Sequence, residues 1–531
     1  MPSSTPWHVP ALPVRFVTAA SLFDGHDASI TIMRRILQSQ GAEVIHLGHD
    51  RGAVEVVDAA VQEDVHGVAV SSYQGGHVEY YGYLVDLLRE RGAGHVQVFG
   101  GGGGVIVPDE IAALHARGVA RIFSPADGQR MGLPGMVNSM IAACDVDLAD
   151  RPPTPEELLA GGDAALARAI TVLEAGRATP ALLDAVRSAA ASRPVPVLGI
   201  TGTGGSGKSS LTDELVRRLR TDQEDKLRIA VLALDPTRRR GGGALLGDRI
   251  RMNALTAGRT FFRSLATRGT VGHLPEHLPD VVAACRAAGY DLVIVETPGI
   301  GQGESAIVDL ADVSLYVMTP EYGAASQLEK IDMLDLADAV AINKFERRGA
   351  EDARREVGRQ LVRNRQEFGA SWADMPVFGT SAARFDDDGV TALYHHLRDA
   401  LAGKGLPVGP GVLPAVAGRT STRLAALVPP SRVRYLAEIA DTVRGYHADT
   451  DRLSGQVRRC QHLRGALAEL GRAGAEPGAV AAGAEWGAVA ADAAAVEAVQ
   501  ELLRRVEAGV DPDIRELIAS WPRRVEEYAG E

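Results

Sequence analysis

The stretch VLGITGTGGSGKSSLTDELVRRL, residues 197–219, decides the fold. An apolar run leads into Gly202-Thr203-Gly204-Gly205-Ser206-Gly207-Lys208-Ser209, and Ser210 opens an amphipathic segment behind it. Read as strand, turn and helix, this is the setting in which a G-x-x-x-x-G-K-S loop holds phosphate. The glycines let backbone N–H groups face inward around an anion. Lys208 brings a cation to its β and γ oxygens, and Ser209 offers a hydroxyl to Mg²⁺. A parallel α/β sheet that binds a nucleoside triphosphate is the expectation.

Downstream to residue 406, further β-rich runs alternate with helical ones: RIAVLALD, DLVIVETPG, VSLYVM, AVAINK and PVFGTSA. The second ends in Glu296, Thr297 and Gly299, which places an acid near a loop-bound metal and a backbone N–H within reach of a γ-phosphate. Lys208, Glu296 and Gly299 are therefore the candidate catalytic groups. Asp235 closes the first run, and Asp248 follows across the glycine-rich TRRRGGGALLG. Acids on such a loop suit a segment that responds to nucleotide, whereas the Arg238-Arg239-Arg240 triplet reads equally well as solvated charge. Asn343-Lys344-Phe345-Glu346 approximates the N-K-x-D signature of guanine-binding proteins. A carboxylate there accepts from guanine N1–H and N2–H₂, while adenine presents an acceptor at N1. Glu346 is one methylene longer than the usual Asp. Thr380-Ser381-Ala382 resembles the short loop that backs the base, though three residues carry little weight.

Upstream, VRFVTAA, AEVIHLG, GVAVSS, HVQVFGG and ARIFS each precede an amphipathic segment between Val14 and Ala142, so a second parallel sheet is expected over residues 1–150. Prolines 152, 153 and 155 start a helical connector, 151–193, and the nucleotide-binding unit spans 194–406. From 407 to 531 a Gly/Pro-rich stretch gives way to a helical module with Val433, Leu436, Ile439 and Val443 near one face.

The 531 residues carry 56 Lys and Arg against 68 Asp and Glu, a net charge of −12. No general basic field exists to attract nucleic acid or an anionic membrane. No apolar run approaches the roughly 18 residues of a membrane span. Gly478 to Gln500 is alanine-rich but broken by Glu485, Asp492 and Glu497, as a solvated helix would be. The N-terminus has no secretion signal, and Cys144, Cys285 and Cys460 are isolated, which suits a reducing cytoplasm.

Asp24-Gly25-His26 lies just past the first strand, where a doubly wound sheet places ligands. An Asp-x-His pair alone is more often a cap beside a surface histidine. Here Ser71-Ser72-Tyr73 and the run Gly100–Gly104 reach the same sheet edge and leave a slot for a bulky group. This pattern resembles the cobalamin-binding domains of adenosylcobalamin-dependent mutases, D-x-H-x-x-G, S-x-L and G-G, at Asp24, His26, Ser71, Gly103 and Gly104. Ser29 stands where Gly is usual, and Tyr73 where Leu is usual. The resemblance implies a flavodoxin-like domain in which His26 is the lower axial cobalt ligand, Asp24 orients it and Ser71 meets the displaced nucleotide tail. His46, His49, His77 and His95 are left without a ligand role.

With VLALDPTRRRGGGALLGDRIRMN, RSLATRG and VETPGIGQGE behind it, the whole chain resembles the N-terminal half of fused isobutyryl-CoA mutases, in which a mutase is joined to its GTPase chaperone. That resemblance implies that Ser209, Asp235, Asp248, Glu296 and Thr297 surround Mg²⁺ and that Arg251 approaches GTP. It also implies adenosylcobalamin as cofactor, rearrangement of isobutyryl-CoA to n-butyryl-CoA, and GTP control of cofactor loading. The substrate barrel, a fold of about 250 residues, does not fit in the helical residues given after 406, so an acyl-CoA-binding barrel is expected either as a separate subunit or as a further part of a longer polypeptide, and a homo-oligomer is the expected assembly. A corrinoid methyltransferase module lacks the attached GTPase and brings a helical cap. A cobalamin- and GTP-dependent sensor is the other alternative.

Overall fold

The computed structural model describes residues 7–236, 243–256, 258–268, 274–299, 305–322, 328–329, 331–422, 435–473 and 493–529. Contacts divide the chain into one unit ending at Leu424 and another beginning at Ala425.

In the first unit the five upstream runs form β1 (Arg15–Ser21), β2 (Glu43–Arg51), β3 (Gly67–Ser71), β4 (Gln97–Gly101) and β5 (Arg121–Phe123). They pair in parallel in the order β5-β4-β3-β1-β2. The order reverses between β1 and β3, so the crevice beyond their carboxyl ends is where Asp24 and Ser72 emerge. Every residue of β1 is buried, as a sheet covered by helices on both faces requires.

A second parallel sheet begins with β6 (Val197–Gly202) and β7 (Ile229–Asp235). The next strand, β8 (Ala244–Leu246), leaves it and lies parallel to β2, Glu43 opposite Ala244 and Ile45 opposite Leu246. The chain then returns as β9 (Thr260–Ala266), followed by β10 (Leu292–Glu296), β11 (Val313–Met318), β12 (Ala339–Asn343) and β13 (Val377–Thr380). The order β13-β12-β11-β6-β10-β7-β9 puts β6 at the centre, so the loop after it sits at the middle of the carboxyl edge. Neither β8 nor β9 stands out in the sequence. β8 is three residues long, and β9 carries the buried polar pair Arg263 and Ser264 in place of an apolar run.

That polar pair joins the two sheets. Glu63, fully buried, accepts from Ser264 N–H at 3.0 Å and from its hydroxyl at 3.0 Å. Arg15 bonds Glu43 at 2.8 Å and lies 3.7 Å from Glu63, while Arg263 bonds Glu174 of the connector at 2.6 Å. Gln62 donates to Asp163 at 2.8 Å and to Thr260 O at 2.9 Å, and accepts from Arg249 at 2.8 Å. Stranding any one of these buried charges costs several kcal/mol, so the set holds sheet, connector and sheet in one arrangement. The Gly/Pro-rich residues 407–422 also belong here, packed on the second sheet: Val412 and Leu413 donate to the backbone and carboxylate of Asp222 at 3.2 and 2.8 Å.

The second unit comprises helices Tyr435–Ala473, Ala493–Ala508 and Pro512–Tyr528, with Cys460 and Val510 buried and Arg464 paired to Glu507 at 2.6 Å. Of the apolar face expected on the first helix, Ile439 and Val443 are half-exposed, and the side chains of Val433 and Leu436 lie outside the described residues. So do residues 478–492 of the alanine-rich segment, and Arg238 to Arg240. Among the described residues no helix is long and apolar enough to cross a membrane.

His66 offers a test of this packing. Its Nδ1 accepts the Arg15 N–H at 3.1 Å and its Nε2–H donates to Val146 O at 3.1 Å, so the neutral ring is fully satisfied. Burial pushes its pKa down from 6.5 to about 4. Above pH 6.5 both folded and unfolded chains keep the ring neutral. As pH falls from 6.5 to 4 the unfolded chain takes up the proton first and stability is lost. Thermal unfolding should show a loss on the order of 3 kcal/mol across that window, and His66→Gln should flatten it. Superimposable profiles would contradict the assignment.

Candidate functional site

The phosphate loop folds as its glycines dictate. Gly207 has φ 90°, and a Cβ there would come 2.5 Å from Asn343 Nδ2. Gly202 passes so close to β11 that a Cβ would strike Val317 O. Lys208 donates to Gly202 O at 2.8 Å and Thr203 O at 3.2 Å, which aims its ammonium at the loop. Ser209 and Ser210 follow in the first turn of helix Lys208–Asp222. The Ser209 hydroxyl donates to Glu296 Oε1 at 2.8 Å and that of Thr212 to Oε2 at 2.9 Å, so a buried strand-end carboxylate is fixed beside the loop. Thr297 Oγ1 donates to Thr201 Oγ1 at 2.7 Å. Gly299 abuts Gly204, and a Cβ on it would lie 2.5 Å from Lys208 Nζ. Asp235 ends β7 two residues beyond Ala233, the partner of Glu296.

The turn Asp248–Arg251 packs near the helix behind the loop, where Ala254 N–H donates to Asp213 at 2.7 Å. Arg251 is exposed on it, and the Asp248 side chain lies outside what the structure describes. Among the described residues no three His, Cys, Asp or Glu side chains form a metal cage. The set Ser209 and Glu296 instead suits Mg²⁺, which takes one or two protein ligands and completes its shell with phosphate and water.

The loop at residues 343–346 is tied to the phosphate loop. Asn343 Nδ2 donates to Ser206 O at 2.8 Å, and its Oδ1 accepts from Ala382 N–H at 3.1 Å and Thr380 Oγ1 at 3.2 Å. Lys344, with φ 60°, donates to Gly205 O at 2.7 Å. The longer Glu346 is steadied by Ser381, whose hydroxyl donates to Oε2 at 2.5 Å. Thr380-Ser381-Ala382 thus carries more of this loop than its brevity in the sequence suggests.

At the first sheet's carboxyl edge, Asp24 Oδ1 accepts from His26 N–H at 2.9 Å and from Nδ1–H at 2.8 Å, and Oδ2 accepts from Tyr73 N–H at 2.6 Å. Burial raises the pKa of this carboxyl, but the donors of Tyr73 and His26 outweigh it and hold the pKa below the usual range. Asp24 is therefore ionised and acceptor-only, and the proton on Nδ1 leaves the His26 Nε2 lone pair free on a side chain 75% exposed. Beside it lies an apolar cavity of about 320 Å³ lined by Ser71, Phe99, Gly102, Gly103 and Met136. The Ser71 hydroxyl is buried there with no hydrogen-bond partner among the described residues. A Cβ on Gly102 would meet Ser72 O at 1.9 Å, whereas Gly104 faces open space. His46 and His77 are buried, bonded to Thr18 at 2.9 Å and Glu110 at 2.9 Å, in keeping with structural roles.

Residues 14–133 match the B12 binding domain, and residues 166–403 match the Methylmalonyl Co-A mutase-associated GTPase MeaB. The fused isobutyryl-CoA mutase of Nocardia farcinica is 66% identical over 98% of this chain and 46% of its own length. That of Cupriavidus metallidurans is 58% identical over 100% and 47%. Over nearly its whole length the chain is similar to fused isobutyryl-CoA mutases, and it joins a B12 binding domain to a MeaB-type GTPase domain. It spans about half the length of these curated relatives. A putative GTPase of Caulobacter vibrioides is 37% identical over 42% of this chain and 67% of its own length.

One residue of the two sites, Thr212, has no mark in the sequence motifs, and two others, Ser381 and Tyr73, are named there without the contacts that they make. Thr212 was signalled only by its place one turn after Ser209 on the same helix face. Ser381 and Tyr73 act through loops that no local period reveals. Asn343→Ala would strand Ser206 O and the Ala382 N–H together, and should weaken binding of a fluorescent guanine nucleotide by about tenfold or more in equilibrium titration. Unchanged affinity would contradict the bracing role.

Proposed function

We propose that this chain is the cobalamin-holding and GTPase-chaperone portion of an adenosylcobalamin-dependent acyl-CoA mutase, with residues 1–150 gripping the corrinoid and 194–406 the nucleotide. The observation that carries the reading is the Asp24–His26 pair at 2.8 Å, its outer nitrogen exposed, in the same compact unit as a complete phosphate loop. The slot with its unpartnered Ser71 hydroxyl and side-chain-free Gly103 fits a displaced nucleotide tail. Adenosylcobalamin would supply a homolysable cobalt–carbon bond for carbon-skeleton rearrangement of isobutyryl-CoA.

The chain's own residues have three tasks. Asp24 fixes the His26 tautomer and makes Nε2 a stronger donor toward cobalt. Gly202, Gly204, Gly205, Ser206 and Gly207 cradle the phosphates of GTP while Lys208 neutralises their charge, Ser210 sits at the helix entry, and the Gly299 N–H meets the γ-phosphate. Ser209, Asp235, Asp248, Glu296 and Thr297 surround Mg²⁺, Arg251 approaches the nucleotide, and Asn343, Lys344 and Glu346 select guanine. An acyl-CoA-binding barrel outside this sequence supplies the substrate site. The assembly is a homo-oligomer in the cytoplasm, and GTP turnover governs cofactor loading and protection.

Purified chain mixed with adenosylcobalamin should give the absorption spectrum of histidine-ligated, base-off corrinoid, and His26→Ala should lose it while still hydrolysing GTP. Lys208→Ala should do the reverse. Failure to take up corrinoid, or uptake with its own nucleotide base still on the metal, would overturn the cobalamin assignment.

A further inference from the structure

The two positions at which the first domain departs from the D-x-H-x-x-G and S-x-L cobalamin-domain pattern, Ser29 and Tyr73, touch each other. Their hydroxyls lie 3.0 Å apart, although 44 residues separate them in sequence. Tyr73 is thereby held at three points. Its N–H donates to Asp24 Oδ2 at 2.6 Å, its ring sits 5.4 Å from the His26 ring at a tilt of 46°, and its hydroxyl is tied to Ser29 on helix Asp27–Ser39. A fourth feature gives the ring its seat: Gly103 takes φ 58°, and a Cβ there would come within 3.2 Å of Tyr73 Cε1.

His26 needs such a restraint. Its side chain is 75% exposed, and the described contacts of its ring are the bond to Asp24 and the face of Tyr73. One hydrogen bond fixes the tautomer and the Nδ1 direction, but the ring plane still pivots about that bond. A tilted aromatic neighbour at this separation removes the pivot. Because Tyr73 follows β3 and Ser29 follows the His26 turn, the hydroxyl bond also ties together the two loops from which the site is built.

We propose that Tyr73 is a positioning residue that sets the plane of the His26 imidazole, and that Ser29 acts by anchoring the Tyr73 hydroxyl. The proposal rests on the cobalamin reading for its purpose but not for its geometry, so its test has an arm without cofactor.

In the cobalamin-free chain, the His26 ring-proton resonances, assigned with His26→Ala, should show the ring-current displacement of a neighbouring aromatic. Tyr73→Leu should abolish it, while Tyr73→Phe should retain the ring and broaden the signals. With hydroxocobalamin added, Tyr73→Leu should weaken binding about tenfold, and Tyr73→Phe and Ser29→Ala about threefold each. The double variant Ser29→Ala/Tyr73→Phe should be no weaker than either single one, because both remove the same bond. Unmoved His26 resonances in Tyr73→Leu would overturn the proposal. So would additive losses in the double variant. If the unaltered chain binds no corrinoid while the resonances shift as stated, the cofactor reading fails and the positioning geometry stands.

Discussion

Glu63 carries the constraint on which the rest depends. A carboxylate with no solvent exposure must be paired or bonded, and its donors are Ser264 of the second sheet and, at ion-pair distance, Arg15 of the first and Arg249 of the intervening segment. The connector's Glu174 repeats the arrangement with Arg263 and Arg268, at 2.6 and 3.5 Å. Such clusters contribute little net stability compared with an apolar core, but they are intolerant of misfit, because any displacement strands a charge. The outcome is one body in which two parallel sheets present separate ligand edges, with β8 carried across from the segment after Asp235 to extend the cobalamin sheet.

Much of this was legible from local pattern. The loop at 202–209, the alternation of strands and helices and the acid at the end of DLVIVE all depend on short-range chemistry, and the structure places them together around Glu296. What was not legible is what depends on partners far away in the chain. Arg15, Glu43, Glu63, Glu174 and Arg263 look like ordinary surface charge until the fold buries their side chains against one another. β9 was hidden for the same reason, since its middle is polar. The carboxyl edge of the first sheet divides likewise: Asp24 and His26 announce themselves at a spacing of two, whereas Tyr73 and Ser29 read as two unrelated departures and make sense only as a pair.

The two sites share a design. In each, a carboxylate is fixed by donors of this chain: Glu296 by Ser209 and Thr212 of the adjoining helix, Asp24 by Tyr73 of the loop after β3 and by His26 of its own turn. Fixing these groups beforehand lowers the ordering cost of binding and sets ligand orientation. The longer Glu346 is fixed in the same way, because Ser381 holds its carboxylate in one place.

The central claim is that a nitrogen of His26 binds cobalt in the same chain that holds a magnesium nucleotide. Electron paramagnetic resonance of bound cob(II)alamin tests it most directly when the protein is labelled with ¹⁵N-histidine. A protein imidazole on the metal turns the nitrogen triplet superimposed on the cobalt lines into a doublet. A spectrum that keeps the triplet, from the cofactor's own unlabelled base, or shows no nitrogen splitting at all, would contradict the account.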